Sequence, residues 1–292
     1  MLKGLTIWAF PGGLLGRTRV QKAAEIALTA GFDGLELSLT NIGDISFRSK
    51  TTDIVELRKS VNASGLKMFS LSTLLFHDYS LSSHDEDVVK KAMEIANKML
   101  ELAALLEIPS ITISPGIVNE EDYYNDCYSR SVERIGILLK RAEEYGIELC
   151  IENVFNKFLL SPLEMKSFLD MFSSRQIGMC LDVGNARLTG YPEHWVHVLK
   201  QYIRKIHVTD LYVTSPFQAE MVEVGQGHVN WDAVLGELRK VNFQGPMIAE
   251  VFDAKDDYYM NRISRISKFM HHLEMGWECG EKINTNIKPT SG

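Results

Sequence analysis

Four acidic or imidazole side chains stand at the ends of four separate apolar runs of the chain. They are Glu152, Asp182, His207 and Glu250. Burying a charged group at the end of a strand-like segment is costly unless a partner compensates its charge. A divalent cation is the simplest shared partner for three carboxylates and one imidazole. The four residues therefore predict a single metal site, provided that the fold brings them together.

The elements that would position these residues follow a regular alternation. Eight short apolar or β-branched runs alternate with amphipathic helical stretches that are long enough for parallel crossovers. The runs are Leu5 to Phe10, Gly34 to Leu39, Lys67 to Leu71, Ser110 to Ser114, Glu148 to Asn153, Ile177 to Asp182, Lys205 to Val208 and Pro246 to Phe252. This alternation predicts an α/β protein with a single (β/α)8 TIM barrel over residues 1–279. The polar segment 280–292 lacks helical periodicity and is predicted to be a flexible C-terminal tail.

The barrel gives the four residues a common location. In such barrels the C-terminal ends of the strands carry the active site, and the opposite face mainly contributes stability. Glu152, Asp182, His207 and Glu250 fall at the C-terminal ends of predicted strands five to eight. These strands are neighbours around the barrel, so we expect the four side chains to converge.

Composition narrows the class of partner. The chain has 292 residues, 45% of them hydrophobic, and a formal net charge of -7. Because it lacks a basic stripe, nucleic acid and anionic membranes are disfavoured as partners, and a small molecule is expected. No apolar run approaches the roughly 20 residues of a membrane span, and no export signal begins the chain, so a cytoplasmic location is predicted. The four cysteines form no CxxC pair and are expected to be reduced thiols.

The motifs around these residues resemble those of the xylose-isomerase-like TIM barrels. The resemblance rests on Gly31-Phe-Asp-Gly-Leu-Glu-Leu-Ser, Ile151-Glu-Asn, Leu181-Asp-Val-Gly-Asn, Ile206-His-Val-Thr-Asp, Gly225-Gln-Gly-His-Val-Asn-Trp and Ala249-Glu-Val. Among these barrels the chain resembles specifically the sugar phosphate isomerase/epimerase group, which includes ketose 3-epimerases, ribulose-phosphate 3-epimerases and inosose isomerases. The resemblance implies one divalent ion, with manganese preferred and cobalt, magnesium or zinc as alternatives. Its ligands would be Glu152, Asp182, His207 and Glu250.

The resemblance also implies that the two glutamates exchange protons with a sugar. Removing the proton beside a sugar carbonyl places negative charge on oxygen, and a cation stabilises that charge. Epimerisation then needs acid/base groups on both faces of a planar cis-enediolate. Glu152 and Glu250 are the catalytic candidates, and the order in which they act stays open. Asp182 and His207 would chiefly bind the metal.

Departures from the family pattern bear on the substrate. Free-ketohexose 3-epimerases carry a Glu, a His and an Arg where this chain has Phe158, Asn185 and Val213. The difference favours 3-epimerisation of a ketose phosphate. Asn185 is then expected to hydrogen-bond a substrate hydroxyl, and Lys157 and Arg187 near the barrel mouth are candidates for binding an anionic end group.

Three further residues are candidates for supporting roles. Glu36 ends strand two and is expected either to bind a substrate hydroxyl or to form an internal salt bridge. Trp8 on strand one is expected to form an apolar wall beside the sugar or to pack in the core. Asp210 is predicted to orient His207 or a nearby water, since metal-binding imidazoles usually donate their other N–H to an acceptor. Residues 212–228 are predicted to form a mobile covering loop.

Other functions stay open at this stage. An inosose isomerase or dehydratase would use the same enediolate chemistry, and a noncatalytic sugar-binding barrel would keep the fold without the reaction. A metal-dependent nuclease is disfavoured because Asn185 replaces a histidine ligand and the net charge is acidic. A homo-oligomer is compatible with the sequence.

Overall fold

A computed structural model describes residues 1–215, 218–252 and 258–279. Its centre is a closed barrel of eight parallel strands. The barrel strands are β1 (Leu2–Thr6), β2 (Gly34–Ser38), β3 (Lys67–Ser72), β4 (Ser110–Ile113), β5 (Glu148–Glu152), β6 (Ile177–Asp182), β7 (Ile203–Val208) and β10 (Pro246–Ala249). Around the barrel the order is β1, β10, β7, β6, β5, β4, β3 and β2. The predicted (β/α)8 barrel is therefore confirmed, whereas the predicted tail at 280–292 lies outside the described residues.

Helices surround the barrel. They are α1 (Val20–Thr29), α2 (Thr51–Ala63), α3 (Glu86–Leu106), α4 (Tyr124–Tyr145), α5 (Pro162–Leu169), α6 (Val183–Thr189), α7 (Pro192–Leu199), α8 (Trp231–Lys240) and α9 (Tyr259–Cys279). In α3, Ile95, Met99 and Leu102 recur at helical spacing and are buried against the sheet side. Asp85 caps that helix by accepting hydrogen bonds from the backbone N–H groups of Asp87 and Val88. Within the described residues, no helix combines the length and apolarity that a membrane crossing requires.

The first strand differs from its predicted position. The sequence pattern placed it at Leu5 to Phe10, but β1 ends at Thr6, and residues 7–9 form a 3-10 turn. The backbone N–H of Phe10 closes this turn on the carbonyl of Ile7. The apolar run thus continues past the strand because the turn is buried as fully as the strand itself. Trp8 accordingly lies on the turn above β1.

An antiparallel hairpin follows β7 where the sequence predicted a loop. Its strands are β8 (Asp210–Ser215) and β9 (Gln218–Val222), paired with each other and with no barrel strand. The helix α6 was also missed, since Val183 begins it directly after β6 and Asp182 serves as its N-cap. Both elements lie at the C-terminal end of the barrel, on the side of the predicted site.

Asp210 anchors the base of this hairpin. Its carboxylate is buried and accepts four backbone hydrogen bonds of 3.0–3.2 Å, from Leu211, Gly225, Gly227 and Val229. Gly225 has a positive φ of 84°, and a Cβ on Gly227 would lie 2.1 Å from Asp210 Oδ1. Gly227 therefore approaches the carboxylate more closely than a residue with a side chain could, and Gly225 adopts a backbone conformation that favours glycine.

Replacing this carboxylate is expected to weaken the fold. In Asp210→Asn, an amide N–H₂ would face two of the backbone donors, so we expect the free energy of unfolding to fall by roughly 1–3 kcal/mol. Denaturant unfolding followed by circular dichroism measures this change. Glu120→Gln makes the same chemical change on an exposed side chain and should leave stability near the wild-type value. Equal stability of both variants would contradict an anchoring role.

Candidate functional site

The structure brings together the four residues that the sequence singled out. Glu152, Asp182, His207 and Glu250 each offer one ligand atom, and these atoms all lie within 4.8 Å of one another. The Nδ1 atom of His207 lies 2.7 Å from Glu152 Oε1 and 2.6 Å from Glu250 Oε2. Glu152 and Asp182 end their strands, His207 is next to last in β7, and Glu250 directly follows β10. The cluster therefore occupies the C-terminal mouth of the barrel.

Asp182 is held by its neighbours at several atoms. Its Oδ1 accepts hydrogen bonds from the backbone N–H of Asn185 and from the Thr209 hydroxyl, both at 2.6 Å. Thr209 in turn accepts a hydrogen bond from the Gly184 N–H at 2.8 Å. The side chain of Asn153 pairs with the Asp182 backbone, donating to its carbonyl at 2.8 Å and accepting from its N–H at 2.9 Å. These contacts fix the direction of the Asp182 carboxylate.

The electrostatics of the cluster favour an added positive charge. Burial raises the pKa of Asp182 well above its usual range, and repulsion from Glu250 and Glu152 adds to the effect. Burial also raises the pKa of Glu250. The Oε2 atom of Glu250 is buried, and its close approach to His207 Nδ1 lacks the angle of a hydrogen bond. A cation among these atoms would relieve the repulsion and give Oε2 a partner, so the residues fit a divalent metal.

The other ring nitrogen of His207 faces a second carboxylate. Its Nε2 lies 3.1 Å from Glu36 Oε1, and Glu36 is fully buried. Lys205 Nζ lies 3.6 Å from Glu36 Oε2, and the Ser70 hydroxyl donates to that same oxygen. Burial alone would raise the pKa of Glu36, but the charges of His207 and Lys205 outweigh it and hold that pKa well below its usual value. Of the two expectations for Glu36, the structure shows the internal salt bridge, and it leaves no surface of Glu36 accessible to a substrate hydroxyl.

Asp210 does not take the role that its spacing from His207 suggested. It was predicted to orient His207 or a nearby water, but its two oxygens accept the four hydrogen bonds at the hairpin base. The acidic group nearest to His207 Nε2 is Glu36 instead. The carboxylate that faces His207 Nε2 therefore comes from β2, across the barrel interior, and not from the hairpin that follows β7.

Cys150 and Cys180 fill the barrel interior. Both are buried free thiols, as is Cys127, which agrees with the predicted reduced state for the cysteines whose side chains are described. Burial raises the pKa of the Cys150 thiol to about 11 and that of Cys180 further. The Cys180 sulfur also lies within reach of Glu152 and His207. Because such a high pKa keeps it protonated, Cys180 packs beneath the cluster as a neutral group.

A small cavity adjoins the cluster. Its volume is about 130 Å³, below the ~300–1,000 Å³ of pockets for drug-sized ligands, so it suits a small ligand. Trp8 and Phe252 form one wall as stacked rings, with centroids 5.7 Å apart and planes 12° apart. The Nε1–H of Trp8 is buried without a hydrogen-bond partner among the described groups. Asn185 and Met221 also line the cavity, and Met221 reaches it from the hairpin.

The remaining predicted substrate contacts lie at different places. Asn185 lines the cavity, and its Nδ2 donates to the Asn153 carbonyl at 2.9 Å. Arg187 donates to the backbone carbonyls of His228 and Gly190, both at 3.2 Å, and its guanidinium lies over a tyrosine ring. Lys157 is exposed. Neither Arg187 nor Lys157 borders the described part of the cavity.

Two supporting residues were not assigned a role from the sequence. Asn153 and Thr209 each follow the end of a barrel strand and hold Asp182 from either side. Both belong to the motifs Ile-Glu-Asn and His-Val-Thr-Asp. Their position directly beside a candidate ligand was the available signal, because a polar residue at the end of a buried strand needs a hydrogen-bond partner.

Comparison with known proteins agrees with this architecture. The sequence model for "Xylose isomerase-like TIM barrel" matches residues 24–273. The chain belongs to this family. Within the family, it is 24% identical over 258 residues to "Putative L-ribulose-5-phosphate 3-epimerase SgbU" of Haemophilus influenzae, which covers 86% of this chain and 90% of SgbU. It is 21% identical over 253 residues to an inosose isomerase of Halalkalibacterium halodurans, and the alignment covers 84% of this chain and 86% of that isomerase.

A third relative aligns over a shorter stretch. The chain is 25% identical over 187 residues to "Uncharacterized protein MJ1311" of Methanocaldococcus jannaschii, which covers 62% of this chain and 64% of that protein. Among solved structures, an L-ribulose 3-epimerase superposes with a TM-score of 0.78 at 18% identity over 99% of this chain and all of the other. D-psicose 3-epimerase from Clostridium cellulolyticum H10 superposes with a TM-score of 0.78 at 16% identity, and the superposition covers 96% of this chain and 100% of the epimerase. These structures share the family's barrel.

The tie between Asn153 and Asp182 yields a prediction about stability. Asn153→Ala would leave the buried N–H and carbonyl of Asp182 without their side-chain partner, so we expect a loss of about 2 kcal/mol or more in the free energy of unfolding. Asn125→Ala removes an exposed amide on α4 and serves as the control. Thermal and denaturant unfolding of both variants measures the difference. A loss no larger than that of the control would mean that the Asn153 bonds do not hold the strand end.

Proposed function

We propose that this protein is a divalent-metal-dependent sugar isomerase or epimerase. It would move a proton at the carbon beside a sugar carbonyl through a cis-enediolate. The observation that carries the proposal is the buried cluster of three carboxylates and one imidazole beside a small cavity. The names of SgbU and of the inosose isomerase, both similar to this chain over most of their length, support the same class of reaction.

The residues divide the chemistry between them. Glu152, Asp182, His207 and Glu250 would hold the metal, with manganese preferred and cobalt, magnesium or zinc as alternatives. Bound there, the cation would stabilise negative charge on the substrate oxygens. Glu152 and Glu250 would act as base and acid, since they extend from β5 and from the end of β10, which are separated in the barrel by β6 and β7. One would remove a proton from one face of the sugar, and the other would return a proton to the opposite face.

The cavity wall would hold the sugar for this transfer. The stacked rings of Trp8 and Phe252 offer an apolar surface for the C–H face of a sugar. The unpartnered Trp8 Nε1–H and the Asn185 side chain offer polar contacts for its oxygens. Met221 on the hairpin would cover the bound sugar and help to exclude water, which strengthens the electrostatic interactions inside the site.

Removing either proton-transfer group should stop turnover. Glu152→Gln and Glu250→Gln keep the size of the side chain but remove the proton acceptor, so we expect kcat to fall by at least roughly 100-fold. Solvent deuterium incorporation into the sugar, followed by NMR, measures the transfer directly. Metal content is measured in every sample, because both residues are also proposed ligands. Glu120→Gln is the exposed control. Full exchange by either metal-loaded glutamine variant would contradict the two-group mechanism.

We further propose that the substrate is a ketose phosphate and that the reaction is 3-epimerisation. The name of SgbU supports this class. Phe158, which stands where free-ketohexose epimerases carry a glutamate, is buried among aromatic rings, so that polar contact is replaced by packing. Along the described cavity lining, His77 is the only basic side chain. With Lys157 and Arg187 away from the lining, His77 is the candidate contact for the anionic end group.

Kinetics with matched substrates test this preference. We expect kcat/KM for L-ribulose 5-phosphate to exceed that for L-ribulose by roughly tenfold or more, which corresponds to at least about 1.4 kcal/mol of differential binding in the transition state. His77→Ala should reduce that ratio while leaving the value for the free sugar nearly unchanged. If free ketoses across a panel match or exceed their phosphates, the phosphate preference is wrong and the proton-transfer proposal stands.

An inosose isomerase is the second candidate. The similarity to the inosose isomerase of Halalkalibacterium halodurans over 84% of this chain favours it. A cyclic inosose has the same carbonyl and adjacent hydroxyl, so the same two glutamates would serve. Including inososes in the substrate panel, with products identified by NMR, separates isomerisation and dehydration from 3-epimerisation.

A further inference from the structure

A buried ionic network lies beneath the cluster of candidate metal ligands. Glu36 on β2 is fully inaccessible, and Lys205 and His207 on β7 are each only 1% exposed. In the barrel, β2 and β7 are separated by β1 and β10. The contact between Glu36 and His207 therefore crosses the barrel interior instead of joining paired strands. None of the three side chains lines the cavity where a sugar would bind.

Each oxygen of Glu36 has its own neighbours. Oε1 lies 3.1 Å from His207 Nε2, outside the angle of a hydrogen bond, and neither atom has any other hydrogen-bond partner in the described part of the chain. Oε2 accepts a hydrogen bond from the Ser70 hydroxyl, lies 3.4 Å from the Thr112 hydroxyl, and has Lys205 Nζ at 3.6 Å. Strands on three sides of Glu36 thus hold its carboxylate in place while one oxygen is directed at the imidazole.

The two ring nitrogens of His207 consequently face different groups. Nδ1 faces Glu152 and Glu250 at 2.7 and 2.6 Å, and Nε2 faces Glu36. An imidazole binds a cation through one nitrogen, and an acceptor for the other N–H determines which tautomer forms and how the ring is turned. Burying a lone carboxylate such as Glu36 would be strongly unfavourable, and Lys205 supplies the compensating charge. A buried pair of this kind is weak evidence for stability, and its place directly beneath His207 points to a positioning role.

We propose that Glu36 is a positioning residue that holds His207 with Nδ1 directed at the metal, and that Lys205 compensates the buried charge of Glu36. The inference rests on the proposed metal site and adds a residue that never touches metal or sugar. Asp210, the acidic residue nearest to His207 in sequence on the C-terminal side, has no part in it because its oxygens bind the hairpin backbone.

Paired variants test the role without leaving a lone buried charge. Glu36→Met with Lys205→Met removes both charges and the acceptor for Nε2–H. Glu36→Gln with Lys205→Met also removes both charges but keeps an amide oxygen that accepts this N–H. We expect the first variant to bind Mn²⁺ roughly 10–100-fold more weakly than the wild type. The second should recover most of that affinity.

Two readouts do not depend on sugar turnover. The Kd for Mn²⁺ is measured by electron paramagnetic resonance titration, and the tautomer of His207 is read from its imidazole ¹⁵N shifts by NMR in protein loaded with diamagnetic Mg²⁺ or Zn²⁺. Circular dichroism and thermal unfolding establish that each variant is folded. In the wild type and the glutamine variant, the metal should bind Nδ1 and the proton should lie on Nε2. The methionine variant should show a mixture, in which the metal binds Nδ1 in some molecules and Nε2 in others.

Asp210→Asn is the control for losing a buried carboxylate that is close to His207 in sequence but does not contact it. It should lower stability and leave the Mn²⁺ affinity of the folded protein unchanged. Wild-type affinity in the methionine variant would overturn the proposal, and so would a glutamine variant as weak as the methionine variant, because orientation would then not be the operative effect. Intact Mn²⁺ binding without turnover of any sugar would count against the proposed function alone.

Discussion

Repulsion among carboxylates is the constraint on which the C-terminal end of this barrel depends. Glu152, Asp182 and Glu250 converge at the strand ends, where burial and mutual repulsion raise the pKa values of Asp182 and Glu250. Such an arrangement is unfavourable unless positive charge is placed among the oxygens. A divalent cation held by these oxygens and by His207 would supply that charge. The site can therefore be understood as a set of ligands arranged in advance of the ion they would bind.

Ionisable side chains follow one another along the barrel interior. Lys205 lies deepest, near Ser110, and pairs with Glu36. Glu36 faces His207, which in turn faces Glu152 and Glu250 at the mouth. Each of these carboxylates thus has a nitrogen atom of Lys205 or His207 beside it. This order explains how the barrel interior accommodates these five ionisable side chains, and it makes the orientation of His207 depend on residues far from the opening.

The sequence was sufficient for the barrel and for the four converging residues, because both follow from local signals. Strand periodicity gives the barrel, and a charged residue at a strand end gives the site. The partners of Glu36 and Asp210 could not be read in this way. Glu36 meets His207 across the barrel between unpaired strands, and Asp210 meets a loop that returns 15 to 19 residues later. Sequence spacing reports which face of a strand a residue occupies, but not which distant segment lies opposite it.

The first strand and the hairpin show a related limit. Residues 7–9 are as apolar and as buried as a strand, yet they form a turn, so hydrophobicity alone did not mark where β1 ends. The strands β8 and β9 pair only with each other, and their exposed, mixed composition resembles that of a loop. In both cases tertiary packing, not local propensity, decides the conformation.

The hairpin has a consequence for how a barrel of this kind can change during evolution. Its base is fastened by Asp210 to the Gly-Gln-Gly turn, whereas the candidate cation ligands Asp182 and His207 contact Asn153, Thr209 and Glu36. The two sets of contacts share no side chain. Met221 nevertheless carries the hairpin to the cavity wall. Mutations in the hairpin can therefore reshape the ligand cavity without disturbing the residues that would perform proton transfer, so selectivity and chemistry can diverge independently within one chain.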